Sequence, residues 1–343
     1  MMRREFPAAV CLAAAAMLCL TANPARPDGS QSEQVQLGRY LFYDKRISVN
    51  GTYSCASCHK QELAFTDGRA QALGATGQLH PRGAMSLVDL ASATAFNWAD
   101  PTVRSLEEQA LKPMFSTEPV ELGASEERLS SLISTDSVYR RLFPLAFPGE
   151  QPWTKLHVAN AIAAFERTIV SNNSPYDRYH LRGEQNAISE AAKRGEMQFF
   201  LEGPSCFRCH GGSSFSGRAR DEFHNTALYN LAGPFRFPAP NFGLFTHTKR
   251  EEDMGKFKAP TLRSIALTAP YMHDGSIATL GEVLDHYAAG GRAHDNPQKD
   301  VLMKGFRMTA QNRSDLIAFL DSLTDESLIH DPAFGDPWVM RAK

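Results

Sequence analysis

The chain has 343 residues, of which 43% are hydrophobic, and this is enough for one large core or two domain-sized cores. Basic residues number 36 against 38 acidic ones, so the formal net charge of −2 provides no basic field that would attract nucleic acid. Past the N-terminus, no apolar run reaches the length of a membrane span, which leaves no such segment after removal of an export signal.

The N-terminus is typical of an export signal. Arg3 and Arg4 supply its positive start, residues 8–20 form an apolar run that is short for a membrane span, and small residues follow up to Ala25. An uncleaved N-terminal anchor helix is the alternative. We therefore expect residues 1–25 to be a signal peptide and the mature protein to be in the periplasm.

Cysteine usage carries the strongest chemical signal. Of six cysteines, two lie in the predicted signal, and the other four form two Cys-x-x-Cys-His units. The units are Cys55-Ala-Ser-Cys58-His59 and Cys206-Phe-Arg-Cys209-His210. In such a unit the two thiols add to the vinyl groups of haem, and the histidine is placed to ligate the iron. The sequence predicts two covalently bound c-type haems, with the four cysteines as attachment points and His59 and His210 as axial ligands.

Three other interpretations of these units are weaker. A disulfide suits an oxidising compartment, but it leaves the repeated histidine unexplained. A thioredoxin-like pair is expected in a βαβ context, which the sequence does not indicate. A zinc site requires both cysteine pairs to converge on one metal, although they are far apart along the chain.

Between and after the two units, the pattern is mainly helical. Apolar spacing predicts helices over 155–169 and 189–201, and Thr309 is placed to cap a helix that continues to Leu323. Turn residues at 172–175 indicate a boundary. We expect a mainly α protein with two cytochrome c-like haem domains, long loops and few short strands. The domains span 31–174 and 175–343, and the C-terminal tail is expected to pack back on the first.

Several segments, in order, resemble those of bacterial di-haem cytochrome c peroxidases and MauG-type enzymes. They are residues 46–59, 65–69, 105–110, 119–121, 223–225, 256–263, 268–275 and 279–280. Three further segments, 80–87, 97–99 and 111–123, are most similar in sequence to the MbnH branch of this family. Members of that branch accompany a copper-binding partner protein and oxidise a tryptophan in it. The resemblance covers nearly the whole mature chain.

The resemblance implies that the first haem binds peroxide. Gln109 matches the residue that orients peroxide, Glu121 matches the acid–base carboxyl, and Pro113 is expected to shape the same pocket. Without the family resemblance, Gln109 would be interpreted as an exposed helix residue and Glu121 as a helix N-terminal carboxylate. The position of the histidine that closes this haem in ordinary peroxidases falls at Ala75, and His80 is interpreted as a loop residue, so the first haem should be open.

For the second haem, the resemblance places a tyrosine opposite His210. MauG-type enzymes carry tyrosine at the position of Tyr287, and a phenolate should lower the potential of the iron. The rival ligand is the neighbouring His286, and two methionines are interpreted as core or loop residues. These methionines are Met272 and Met303.

Two further sites follow from the same resemblance. Trp98 matches the aromatic residue between the two haems, with simple core burial as the alternative. MauG has a tryptophan for exchange with its partner where this chain has Pro204, so the exit route must differ. Thr268 and Pro270 match a calcium site, but Gly83 replaces its usual asparagine ligand.

Together these implications describe a periplasmic di-haem oxidoreductase. It would use hydrogen peroxide to form a high-valent two-haem state that oxidises a tryptophan on a partner protein, such as an MbnP-like copper-binding protein. One alternative is a cytochrome c peroxidase that takes electrons from a small cytochrome or copper protein. The other is a non-enzymatic di-haem electron carrier, with both irons bound by two strong protein ligands.

Overall fold

A computed structural model describes residues 29–201, 203–217, 223–230, 236–239, 241–292 and 296–339, with side chains from residue 32 onward. The predicted signal peptide, residues 1–25, lies outside the described residues. In the part of the chain that is described, no helix has the length and apolar character needed to cross a membrane.

The described chain is mainly α-helical with long loops, as predicted. The α-helices are α1 (Gly29–Tyr43), α2 (Cys55–Cys58), α3 (Leu106–Phe115), α4 (Glu126–Thr135), α5 (Ser137–Ala146), α6 (Lys155–Glu166), α7 (Pro175–Arg182), α8 (Glu190–Phe199), α9 (Cys206–Cys209), α10 (Phe245–Thr248), α11 (Leu280–Ala288), α12 (Ala310–Asp321) and α13 (Glu326–His330). Strands β1 (Phe223–His224) and β2 (Phe257–Lys258) pair antiparallel, with Phe223 opposite Lys258.

The three helices predicted from periodicity are confirmed as α6, α8 and α12. Each begins directly after a capping side chain, because Thr154, Ser189 and Thr309 each accept a hydrogen bond from a backbone N–H of the first turn. Each ends two or three residues earlier than the apolar pattern suggested. The last turns tighten into i→i−3 hydrogen bonds, such as Thr168 N–H to the Phe165 carbonyl, and apolar spacing does not reveal this change.

Each half of the chain is built on a helix pair that a glycine brings into close contact. In the first half α1 packs on α6, and a Cβ at Gly38 would lie 1.8 Å from the Ala161 carbonyl oxygen. In the second half α8 packs on α12, and a Cβ at Gly195 would lie 1.9 Å from the Asp315 carbonyl oxygen. Any larger residue would force these helices apart.

The buried apolar side chains form two main clusters. One contains residues 37–169 together with Leu328 and Ile329, and the other contains residues 199–323. This separation supports a division near residue 174, which stays a prediction. The C-terminal tail lies on α1, where the indole N–H of Trp338 donates to the Tyr40 carbonyl over 3.0 Å.

Candidate functional site

Two large cavities each contain one Cys-x-x-Cys-His unit. The first is lined by the unit ending at His59, and the second is lined by the unit ending at His210. Apolar and aromatic side chains form most of the remaining wall of each cavity, as is typical of sites that hold a large cofactor. Since the units line separate cavities and no disulfide joins their cysteines, neither a shared zinc ion nor a disulfide accounts for them.

Both units fold as a single helical turn. α2 and α9 each begin and end on a cysteine. The backbone N–H of the histidine that follows donates a hydrogen bond to the carbonyl of the first cysteine, at a distance of 2.9 Å in α2 and 2.8 Å in α9. One turn of helix places residues three apart on the same face. Both thiols and the imidazole are therefore presented toward one side, as attachment to a planar ligand requires.

The hydrogen bonds of both imidazoles fix their tautomers. Nδ1 of His59 donates to the Phe65 carbonyl over 2.9 Å, and Nδ1 of His210 lies 3.1 Å from the Phe215 carbonyl. A carbonyl oxygen only accepts, so the proton is on Nδ1 and the Nε2 lone pair is left for a metal. Both phenylalanines have positive φ (60° and 52°), a strained conformation that turns each carbonyl onto the ring.

Gln109 lies on α3 in the wall of the first cavity with its amide orientation determined. The Asn97 side-chain oxygen accepts from the backbone N–H groups of Ala99 and Asp100. The Asn97 amide nitrogen must therefore be the group that donates to the Gln109 oxygen, 3.1 Å away. This leaves the NH₂ group of Gln109 as a donor to a ligand.

The loop after α3 positions Glu121 in the same cavity. Leu122 N–H returns to the Pro113 carbonyl, Glu121 N–H donates to the Ser116 hydroxyl, and the Glu121 carbonyl accepts from Ala75 N–H over 2.7 Å. Burial raises the pKa of the Glu121 carboxyl to about 7. A carboxyl with such a pKa can take up and return a proton near neutral pH.

A second loop, which bonds to Glu121 through Ala75 N–H, contains the position at which the sequence comparison expects the closing histidine of ordinary peroxidases. Ala75 supplies only backbone contacts and is absent from the described cavity lining, whereas His80 does line the first cavity. Nδ1 of His80 lies 3.2 Å from the Arg82 backbone nitrogen. Apart from His59, His80 is the one histidine among the described residues that line this cavity.

Glu166 is a cavity residue that the sequence analysis missed. It lies at the C-terminal end of α6, lines the first cavity and is only 8% exposed. Burial raises the pKa of its carboxyl to about 8. The sequence pattern does indicate this position, because Glu166 follows Ile162 and Ala159 on the apolar face of the helix, where a charged residue is unexpected.

In the second cavity, the structure separates the rival ligands. Tyr287, Met272 and Met303 all line the cavity, but His286 is not among the described lining residues. Nε2 of His286 lies 2.8 Å from the Thr226 carbonyl, which directs that ring away. Burial raises the pKa of the Tyr287 phenol above its ordinary value.

A buried histidine–aspartate pair is a second feature that the sequence analysis missed. Nδ1 of His224 lies 2.7 Å from a carboxylate oxygen of Asp300, and both residues line the second cavity. Burial lowers the pKa of His224, whereas the hydrogen bond to Asp300 and the neighbouring Cys209 thiol raise it, and the net direction is upward. The Asp300 carboxylate therefore favours the protonated form of His224. The segment 223–225, which resembles the family, includes His224. Its partner Asp300 lies far along the chain, so the sequence did not reveal the pair.

Trp98 lines both cavities and lies in the wall between them. Its indole N–H donates to the Gly83 carbonyl over 3.1 Å, and its own carbonyl accepts from Lys258 N–H on β2. These bonds fix the ring between the two halves of the chain. The segment 83–86 also lines both cavities.

The proposed calcium residues lie near this wall. Thr268 and Pro270 line the second cavity, and a Cβ at Gly68 would lie 4.0 Å from the Ala269 carbonyl oxygen, so the two loops are in contact. A Cβ at Gly83 would lie 2.5 Å from the Arg69 carbonyl oxygen. An asparagine therefore does not fit at position 83 without a backbone shift.

Comparison with known proteins agrees with this arrangement. The sequence profile of the di-haem cytochrome c peroxidase family matches residues 32–186. Methylamine utilization protein MauG of Methylorubrum extorquens is 38% identical over 307 residues, which span 89% of this chain and 80% of that protein. The cytochrome c551 peroxidase of Nitrosomonas europaea is 31% identical over 297 residues, spanning 86% and 81%.

A solved structure is similar throughout. The crystal structure of a MauG-like protein associated with microbial copper homeostasis is 47% identical, with a TM-score of 0.84 over 89% of this chain and 93% of that one. The similarity therefore extends over most of both chains. The chain belongs to the di-haem cytochrome c peroxidase and MauG family, whose members are peroxide-dependent oxidoreductases with two c-type haems.

Proposed function

We propose that this protein is a periplasmic enzyme that uses hydrogen peroxide to oxidise a tryptophan residue on a partner protein. The observation that carries the proposal is Trp98, which lines both cavities and so connects a peroxide site to a second redox site. The similar structure described as a MauG-like protein associated with copper homeostasis supports a partner of the MbnP-like, copper-binding kind.

The residues in both cavities fit a covalently bound haem. Each offers two thiols and an imidazole whose Nε2 is free, and the second also offers the buried phenol of Tyr287. A haem held by these residues supplies an iron atom that binds peroxide and accepts its oxidising equivalents. We assign Cys55, Cys58, Cys206 and Cys209 to attachment, and His59, His210 and Tyr287 to axial ligation.

The side chains of the first cavity would handle peroxide and its protons. The NH₂ group of Gln109 donates a hydrogen bond that orients the peroxide. The Glu121 carboxylate would accept a proton from one peroxide oxygen and return it to the other, which would leave as water, once a bound haem supplies the iron. Pro113 anchors the Glu121 loop through its carbonyl, which accepts from Leu122 N–H.

All the described residues that line the first cavity belong to the N-terminal half of the chain, and Trp98 is the tryptophan among them. Electrons from the partner would enter at the second site and pass through Trp98, which lines both cavities. The Trp98 ring is held for this purpose by its bond to the Gly83 carbonyl.

The direct test is mass spectrometry of a candidate copper-binding partner after incubation with the haem-loaded enzyme and hydrogen peroxide. We expect a mass gain on a tryptophan-containing peptide only when enzyme and peroxide are both present. Peroxide alone, and enzyme with reduced cytochrome but no peroxide, are the controls. Unmodified tryptophan peptides in the complete mixture would refute the proposal.

The alternative function is reduction of peroxide with electrons from a small cytochrome or copper protein. Relatives named cytochrome c peroxidase, including that of Nitrosomonas europaea, favour it. Fast peroxide consumption with a reduced carrier, together with an unmodified partner, would establish this function. A purely electron-carrying role is disfavoured by the family and by the acid and amide that line the first cavity.

We also propose a calcium ion near the wall between the cavities, held by the carbonyl oxygens of Thr268 and Pro270. Support comes from Asp67 on the neighbouring loop, whose Oδ2 is buried without a hydrogen-bond partner. Oxygen atoms of this kind are the ligands that calcium prefers. We expect elemental analysis of the purified protein to find bound calcium that EDTA removes with a change in the haem absorbance; protein without calcium would contradict this.

A further inference from the structure

A continuous aromatic path leads from the second haem-binding loop to the surface. The Phe215 carbonyl accepts from His210, and the Phe215 ring lies 5.4 Å from the ring of Tyr176 on α7. The Tyr176 ring lies 4.4 Å from the His180 ring, which in turn lies 4.8 Å from the Tyr179 ring. The His180 side chain is 38% exposed, so the path reaches solvent there.

Tyr176 has a proton acceptor next to it. Nε2 of His180 lies 2.7 Å from a carboxylate oxygen of Glu196 on α8, so the carboxylate is held beside the His180 ring, which contacts the Tyr176 ring. Burial, and after it the charge of Glu196, raise the pKa of the Tyr176 phenol to about 12. The phenol therefore stays protonated until it is oxidised.

Oxidation of Tyr176 requires a base nearby. A phenol that has lost an electron is a strong acid, so removal of the electron is coupled to loss of the phenol proton. Glu196 is within reach, because its carboxylate is held by His180, whose ring lies 4.4 Å from the Tyr176 ring. The Arg263 guanidinium, 5.8 Å from the centre of the Tyr176 ring, is itself paired with the Asp177 carboxylate.

We propose that Tyr176 is the relay through which oxidising equivalents leave the second haem site, with Glu196 as its proton acceptor. This inference rests on the proposed function, and it names the exit route of that reaction. Pro204 occupies the position at which MauG carries its exchange tryptophan, so a different route is needed.

The relay step balances with peroxide as the only oxidant. One electron passes from Tyr176 to the second haem site, and the phenol proton moves to the Glu196 carboxylate, which leaves a neutral phenoxyl radical. The partner's indole then gives one electron to Tyr176, and the proton returns from Glu196. Two such cycles transfer both oxidising equivalents of one peroxide. The indole, which has lost two electrons, gains one oxygen atom from water and releases two protons, and these balance the two protons consumed when peroxide is reduced to water.

Tyr229 is the competing relay. Its hydroxyl donates to Asp274, and its ring lies 6.1 Å from the ring of His273, which lines the second cavity. However, the His273 ring stacks on the Phe257 ring, and the Arg82 guanidinium lies over the Phe257 ring, so this stack extends toward the first cavity. This stack therefore leads into the protein, whereas the Tyr176 path leads to the surface.

The test is electron paramagnetic resonance of the haem-loaded protein, freeze-quenched after addition of one equivalent of peroxide without a partner. We expect a tyrosyl signal that narrows in protein grown on β-deuterated tyrosine. Tyr176→Phe should abolish this signal, while Tyr179→Phe and Tyr229→Phe should retain it. Glu196→Gln should slow its formation about tenfold, because the proton acceptor is lost.

Other outcomes would overturn the relay. No tyrosyl signal in the wild-type protein, or a signal that survives in Tyr176→Phe and disappears in Tyr229→Phe, would each do so. Partner oxidation separates the two proposals. If wild-type protein and Tyr176→Phe oxidise the partner tryptophan equally, the relay is contradicted and the proposed function stands. If a Tyr176 radical forms but the partner stays unmodified, the proposed function is contradicted and the relay stands.

Discussion

Replacing Glu121 by Gln should slow the reaction of the haem-loaded protein with hydrogen peroxide by about 10²–10⁴-fold. Glutamine keeps the shape of the side chain but cannot take the peroxide proton. The loop itself should not change, because it is held by backbone bonds to Ser116, Pro113 and Ala75. Stopped-flow absorbance of the haem bands gives the second-order rate constant directly.

The pH dependence provides an independent check on this role. Burial raises the pKa of Glu121 to about 7, so the carboxylate that accepts the proton becomes more abundant as the pH rises through 7. The rate constant of the wild-type protein should therefore increase with pH and level off above this value. The profile of Glu121→Gln should be flat across the same interval.

Glu166→Gln is the matched control, because Glu166 is the other buried acid of the first cavity. It lies on α6 rather than in the Glu121 loop, so its replacement should leave the peroxide rate within a few-fold of wild type and keep the pH profile. If Glu166→Gln is slow and Glu121→Gln is fast, the assignment of the catalytic acid is reversed.

The sequence predicted best what depends on local chemistry. The cap at Thr309 was recognisable because a capping side chain bonds to the turn that follows it. The Cys-x-x-Cys-His spacing was equally informative, because one helical turn is enough to present all its groups together. Residue type and short spacing suffice for both features.

Features that depend on distant contacts were not predictable. The orientation of Gln109 follows from Asn97, which is in turn fixed by two backbone N–H groups. The sequence showed that glycine replaces the usual asparagine at position 83. It did not show the steric reason, which is that the Arg69 carbonyl leaves no room for a side chain there. The acid–base pair of His224 and Asp300 likewise forms only when the chain folds.

A second large effect is expected at the boundary between the two halves of the chain. Arg263 is 5% exposed and forms two hydrogen bonds to the Asp177 carboxylate, at 2.7 and 2.8 Å. It also donates to the Ser213 carbonyl near the second haem unit, and lies 3.7 Å from Asp89 of the first half. One guanidinium thus connects the boundary helix α7, a haem-binding loop and the N-terminal half.

Arg263→Met should lower the free energy of unfolding by about 3–5 kcal/mol, because it leaves the Asp177 carboxylate buried without a counterion. Circular dichroism during guanidinium chloride titration of the haem-loaded protein measures this change. Arg313→Met is the matched control, since its ion pair with Asp285 is 38% and 56% exposed and should contribute about 0.2–1 kcal/mol.

The double variant Arg263→Met/Asp177→Asn separates the two causes of this destabilisation. If the buried charge of Asp177 dominates, neutralising it should recover part of the lost stability, even though one more hydrogen-bonding carboxylate oxygen is removed. If the double variant is less stable than Arg263→Met, the hydrogen bonds that the Asp177 carboxylate accepts from Ser174 are the more important contribution. Equal stability of Arg263→Met and Arg313→Met would show that the buried pair does not hold the boundary together.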